Sequence, residues 1–243
     1  MVTAIEGPGT SESVWLPFLD SLRLPGLDLS SPPRRVVVVA PHPDDEVLAV
    51  GGLIALLAGA GAAVEVVAVT DGEASNPGGS IPAAMLAGMR AAETEAALQA
   101  LGVAAPVHRL GLPDGAGQAL EQSVVDAVQV DGRTWLLAPW HRDGHPDHEA
   151  AGRACARVAE RDGARLLAYP VWLWHWAAPA DPVTPWERAR TVRLPPPVQE
   201  AKARAVDAFA TQTQPIGPLA ADAPVLPPYV LARFARPYEV VLT

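Results

Sequence analysis

Two short polar stretches carry the chemistry of this sequence. "VVVVAPHPDDEVLAVGG" (36–52) places His42, Asp44, Asp45 and Glu46 directly after an all-apolar run, and "APWHRDGHPDHEAAG" (138–152) places His141, His145, Asp147 and His148 after "TWLLAP". Acids in the first turn of a helix are favoured by its dipole, so capping alone accounts for Asp44 and Glu46. It leaves the flanking histidine unexplained. His145 and His148, three apart, project to one side of a helix that begins at Pro146, a residue suited to the first helical position. Imidazoles and carboxylates at two neighbouring strand ends are what a catalytic zinc requires, namely about three N/O ligands and one position open to water. The same donors also accept iron(II) or cobalt. Cys155 is the only cysteine, which excludes a thiolate cluster or disulfide within one chain, and a buried inert thiol is expected there.

These stretches need elements to hold them. "RVVVVA" reads as a strand covered on both faces, followed by a helix over about 44–58 and a second strand, "AVEVVAVT". A glycine-rich loop (72–82) precedes a helix ending at Gly102, then a strand "VHRLGL", a helix around "QALEQSVVDAVQ", a strand "TWLLAP", a helix over about 146–161 and a strand "RLLAYPVW". "PPPVQEAKARAVDAFATQ" is expected as one further helix and "PYEVVLT" as a closing strand. The alternation implies an α/β, Rossmann-like three-layer sandwich with a mainly parallel central sheet. In such a sheet ligands bind beyond the carboxyl ends of the strands, where both polar stretches emerge. No G-x-G follows a strand and opens a helix, so the dinucleotide fingerprint is absent. Residues 1–33, with a short amphipathic helix in "SVWLPFLDSLRL", are expected as an N-terminal extension to a domain over 34–243.

Composition narrows the partners. A chain of 243 residues with formal charge −9 is a poor match for nucleic-acid phosphates or an anionic membrane surface, and a small molecule fits better. Val47–Val64 is uncharged over 18 residues, but four glycines interrupt it, and a core helix followed by a strand is expected rather than membrane insertion. The first residues lack a basic and an apolar region, which gives a cytoplasmic expectation.

"PHPDDE" followed by "GG", with the later "DGHPDH", resembles the LmbE/PIG-L family of zinc-dependent de-N-acetylases, which includes the N-acetylglucosaminyl-phosphatidylinositol, mycothiol-pathway and bacillithiol-pathway deacetylases. The likeness covers about residues 34–210. Weaker echoes are "TDGE", "MRAAE", "LGLPDG" and "KARAVDAFATQ", the last where relatives carry a terminal Ser-Gln and this chain has Thr211-Gln212 or Thr213-Gln214. The resemblance implies one Zn2+ per chain held by His42, Asp45 and His148, with Asp44 as the general base. Adjacent side chains on a turn diverge, which agrees with separate roles for Asp44 and Asp45. By the same resemblance His145 stabilises the oxyanion or protonates the leaving amine, and Asp147 sets its tautomer. The implied substrate is a small-molecule N-acetyl amino sugar or glycoconjugate.

Substrate-reading residues are less sharply marked. Trp172, Trp174 and Trp176 would share one face of an extended segment and border a sugar, or else pack in the core or at the interface of a homo-oligomer. Arg90 resembles the family arginine that reaches sugar hydroxyls or a phosphate, with Glu93 as an alternative partner. Asp114 is read either as a hydroxyl acceptor or as a turn-former before Gly115. His141 is placed at the rim of the site, and the loop over 72–82 is long enough for a mobile cover. Two other functions stay open at this level: a metal-assisted ester or phosphate hydrolase, and a non-catalytic carbohydrate-binding protein. The latter would be expected to have lost Asp44 or His145, and both are present.

Overall fold

In this computed structural model the described residues are 7–243; the part of the expected N-terminal extension that falls on residues 1–6 lies outside them. The seven strands are β1 (Arg35–Ala40), β2 (Ala63–Thr70), β3 (Val107–Leu112), β4 (Thr134–Pro139), β5 (Arg165–Tyr169), β6 (Ala189–Arg193) and β7 (Tyr238–Leu242). They form one sheet in the order β3-β2-β1-β4-β5-β7-β6. β1 to β5 pair in parallel, and β7 runs antiparallel to both β5 and β6. The helices are α1 (Glu12–Leu22), α2 (Asp45–Gly59), α3 (Ala83–Ala100), α4 (Glu121–Ala127), α5 (Pro146–Asp162), α6 (Leu173–Trp176), α7 (Pro196–Asp207), α8 (Ala210–Thr213) and α9 (Pro228–Leu231).

Side chains alternate across a strand, and β1 divides its valines accordingly. Val36, Val38 and Ala40 join the core beneath α2, while Val37 and Val39 join a second core with Val124 of α4 and Ala151, Cys155 and Val158 of α5. Burial on both faces is why this strand is a continuous apolar run. The chain leaves β1 toward β2 and β3, then returns to β4 on the other side and moves to β5. The β1/β4 boundary is therefore the switch point, where opposed crossovers leave a crevice at the strands' carboxyl ends.

Several elements differ from the sequence-based expectation. β6 was not expected: "ARTVR" has two arginines, and its pairing with β7 is decided by tertiary contacts. The helix expected through 195–212 is broken into α7 and α8, with Phe209 fully buried at the break. β5 stops at Tyr169, and the following Trp-rich segment winds into the short helix α6. Trp172, Trp174 and Trp176 consequently do not share an extended face. The short helix expected in the N-terminal extension is present as α1, and its Trp15 is fully buried, donates from Nε1 to the Trp174 carbonyl at 2.7 Å and stacks edge-on against that ring. Val47–Val64, by contrast, is the expected helix followed by a strand, split between α2 and β2, and among the described residues no helix is long and apolar enough to cross a membrane.

Helix α2 presents the first polar stretch and is itself irregular. At Val50 its backbone departs from helical geometry (φ −136°, ψ 16°). The amides of Gly52 and Leu53 turn to Glu239 of β7, donating to Oε1 at 2.7 Å and Oε2 at 2.8 Å. Lys202, the only lysine, donates from Nζ to Glu239 Oε1 at 2.7 Å, and both groups are buried. A Cβ on Gly52 would collide with the Leu194 side chain, so the second glycine of "GG" serves close packing. Replacing Glu239 with Gln keeps the shape but strips buried Lys202 of its counter-charge. The expected loss is about 3–5 kcal/mol of stability, read as a lower denaturant midpoint; an unchanged midpoint would contradict this account of the kink.

Candidate metal centre and active site

The two polar stretches meet at the switch point. Pro41, at the exit of β1, accepts from the Thr70 amide at 3.0 Å and from its hydroxyl at 2.8 Å, which pins the turn carrying His42 to the end of β2. The His42 amide donates to Asp45 Oδ2 at 2.9 Å, folding the turn back on itself. Asp44 sits between them at φ 123°, a conformation that is rare and costly for a residue with a Cβ. Strain of this kind persists only where surrounding contacts over-determine it, and Arg90 supplies them. Its Nη2 donates to the Pro43 carbonyl at 2.6 Å and to Asp44 Oδ2 at 3.0 Å, and its Nη1 to the Gly72 carbonyl at 2.9 Å. Gly72 lies at φ +66° with the guanidinium occupying the space a Cβ would need.

Three ligand-type atoms converge here. His42 Nδ1 and His148 Nε2 are 3.2 Å apart, and Asp45 Oδ2 lies 3.4 Å from the first and 3.2 Å from the second. Donors bound tetrahedrally to zinc at its usual bond lengths stand about 3.3 Å apart, so the triangle fits such an ion without rearrangement. The outward nitrogens are also held, as metal-binding imidazoles require. His148 Nδ1 lies 2.8 Å from Asp143 Oδ2. His42 Nε2 lies 3.1 Å from Asp147 Oδ2 and 3.2 Å from Asp114 Oδ1. His145 joins the two rings within 4.8 Å of their ligand atoms but is turned by its own backbone contact: its Nδ1 accepts from the Asp147 amide at 3.2 Å as it caps α5.

The electrostatics divide the site. Burial raises the Asp44 carboxyl to about 7 against the pull of Arg90, and raises Glu46 to about 8. For Asp45 burial pushes up, but the attraction of His148 and His42 holds it below the ordinary carboxylate range. Burial opposes the charged form of His148, and the Asp45 and Asp143 carboxylates outweigh it, leaving the imidazole at about 9. His42 is likewise raised, against burial, by Asp114, Asp147 and Asp45. His145 goes the other way: burial, then His148 and His42, press it down to about 3, so it is neutral, with its proton on Nε2.

The structure distributes the remaining candidates unevenly. A cavity of about 330 Å³ opens beside the triangle, lined by His42, Asp44, Asp45, Arg90, Asp114, His145 and Trp172 among others. Trp174 lies off it, buried against Trp15 and Trp186, because α6 turns that ring into the core. His141 is exposed and stacks at 6.0 Å on Trp140 rather than lining the cavity. The Asp147 carboxylate faces His42 and the Gly115 and Gly117 amides at 2.8 and 2.6 Å, so only its backbone touches His145. Glu93 accepts from the Thr211 amide and hydroxyl at 2.8 and 2.7 Å and is not the partner of Arg90; Thr211-Gln212 is the pair at the site, and Gln212 lines the cavity. The loop over 72–82 is tied down: Asn76 donates to the Ala221 carbonyl at 2.9 Å, and Asp222 accepts from the Ser80 amide and hydroxyl at 2.6 Å each. Asp143 escaped the sequence reading. Its cue is its position at the exit of β4, one glycine before the "HPDH" run.

The model of the PIG-L family, described as GlcNAc-PI de-N-acetylase, matches residues 37–159. A 1D-myo-inositol 2-acetamido-2-deoxy-alpha-D-glucopyranoside deacetylase from Rhodococcus erythropolis is 30% identical over 240 residues, covering 74% of this chain and 81% of its own. The chain belongs to the PIG-L family. A deacetylase of the same description from Mycobacterium sp. (strain KMS) is 34% identical over 175 residues, but the chain spans only 56% of that relative's length, and 59% of its own is aligned. Among solved structures, N,N'-diacetylchitobiose deacetylase from Pyrococcus horikoshii shares the fold, with a TM-score of 0.57 at 21% identity over 81% of this chain and 77% of that one.

Two measurements test the donor triangle. Asp143→Asn removes the carboxylate behind His148, and divalent-metal affinity should fall about 10–100-fold, read by chelator competition. An unchanged affinity would remove Asp143 from the centre. Because the Asp45 and Asp143 carboxylates hold His148 protonated at neutral pH, metal entry must displace that proton. Near pH 7 at least one proton should be released per ion, and affinity should rise by about tenfold per pH unit or more until the His148 value of about 9 is approached. Calorimetry in buffers of different ionisation enthalpy measures this, and a buffer-independent heat would count against it.

Proposed function

We propose that the chain is a metal-dependent hydrolase that removes the acetyl group from an N-acetylated amino sugar or its conjugate. The observation that carries the reading is the donor triangle of His42, Asp45 and His148 with Asp44 beside it in one cavity. Membership of a family whose named relatives are deacetylases of 2-acetamido sugars supports the same reading. Zinc is the proposed ion, since two imidazoles and one carboxylate with an open fourth position suit it. Such an ion supplies Lewis acidity, polarising the amide carbonyl and making water acidic near neutral pH.

The chain's own groups do the rest. Asp44, raised toward neutrality by burial, takes the proton of the attacking water, which the Brønsted argument favours for a base poised near the working pH. Arg90 fixes its carboxylate and the strained turn that aims it. His145, neutral and at the start of α5, presents Nε2–H; of the two roles open to it, hydrogen bonding to the developing oxyanion suits a neutral ring better than proton donation. The proton held on Asp44 then passes to the departing amine nitrogen as the C–N bond breaks, giving acetate and a free amino sugar. Asp147 and Asp143 act through His42 and His148 by holding their outward nitrogens. A cytoplasmic setting belongs to the same proposal.

The test is release of free amine from N-acetylglucosamine derivatives by the zinc-loaded protein, beside an aryl ester and an aryl phosphate. Asp44→Asn should lower kcat by about 10²–10⁴-fold while bound metal stays near one per chain. Hydrolysis of only the ester or phosphate, or an Asp44→Asn protein of unchanged rate, would overturn the assignment.

A further inference from the structure

Besides acids and imidazoles, the lining of the cavity has an apolar part. It is built from Val171, Trp172, Val225, Leu226, Tyr229 and Val230, contributed by the segment leading into α6 and by the stretch before and within α9. Leu226 and Val230 are largely buried within this wall, whereas Tyr229 stands 48% exposed. Such a surface gains by being covered with apolar atoms and offers nothing to a charge.

The cations near it are already spent. Among the described residues, Arg90 is the only Lys or Arg of the lining, and its guanidinium is engaged by Asp44 and the carbonyls of Pro43 and Gly72. Arg233, behind the lining residue His175, donates to the carbonyls of Thr10 and Pro8 and meets His175 Nδ1 at 3.1 Å. Lys202 is buried on Glu239. Meanwhile Asp44, Asp45 and Asp114 all line the cavity, in a chain of formal charge −9. The charge that a metal would add lies at the acetamido end beside two of those acids. An anionic group against the apolar lining would be desolvated with no uncommitted Lys or Arg among the described lining residues to receive it.

Resting on the deacetylase reading, we propose that this site is selective for an amino sugar whose aglycone is uncharged and apolar, and discriminates against a phosphate or carboxylate there. The experiment compares kcat/KM of the zinc-loaded protein on four N-acetylglucosaminides, in both anomeric forms: phenyl, methyl, carboxymethyl and the 1-phosphate. The phenyl glycoside should exceed the methyl by about tenfold, and both anionic substrates should fall below the methyl. Tyr229→Lys, which sets a cation in the apolar lining, should raise the ratio of 1-phosphate to phenyl by about tenfold through KM. A wild-type preference for either anionic substrate, or no distinction between phenyl and methyl, overturns the proposal while turnover of the methyl glycoside leaves the deacetylase reading standing. Should none of the four be turned over, that reading fails instead. Binding of the phenyl glycoside against the 1-phosphate, followed by tryptophan fluorescence, then decides the selectivity alone: tighter phenyl binding supports it and equal or weaker binding sinks it.

Discussion

One fully buried carboxylate, Asp143, joins the candidate metal centre to part of the cavity lining. Its Oδ1 accepts from the amides of Val171 and Leu173 at 2.9 and 3.0 Å, and its Oδ2 from the Trp172 amide at 2.9 Å while meeting His148 Nδ1 at 2.8 Å. A buried charge with this many donors is stabilised rather than costly, and it cannot be moved without orphaning all of them. The same contacts start α6, hold the Trp172 indole at the cavity and fix which nitrogen His148 turns inward. Two features far apart in sequence thus share one anchor.

The opposite half of the site has a matching arrangement on the other imidazole. Asp147 collects the Gly115 and Gly117 amides and holds His42, and Asp114 binds the same ring nitrogen while its Oδ2 accepts from the Ala74 amide at 3.0 Å. Between the halves stands Asp44, in a backbone conformation that local preference opposes. The sheet makes this affordable: β1 and β4 are hydrogen-bonded neighbours, so the strained turn and the α5 N-terminus are mounted on adjacent rigid rods. Gly152 allows the approach, because a Cβ there would stand 2.6 Å from the Pro139 carbonyl oxygen.

Much of this was legible in the sequence. A run such as "RVVVVA" has few alternatives to a strand buried on both faces, and paired clusters at two strand exits locate a site before any coordinates exist. What could not be read depended on contacts between distant segments. "ARTVR" becomes a strand only because β7 lies beside it, and the Trp-rich segment becomes helical because a carboxylate from another loop gathers its amides. The destination of the Asp147 carboxylate was equally hidden: residue spacing gives the side of a helix, not which of two neighbouring rings a side chain reaches. Arg90 was read as a substrate contact, yet its engagement with two carbonyls and Asp44 follows from the position of Gly72, eighteen residues upstream.

The ties from Asn76 and Asp222 to the opposing loops make the glycine-rich segment and the stretch over 216–223 one mechanical body. Of the two, the first lines the cavity, through Ala74 and Ser75, and the second leads directly into the lining residues Val225 and Leu226. Grafting either loop alone from a relative breaks the staple, whereas exchanging them together preserves it.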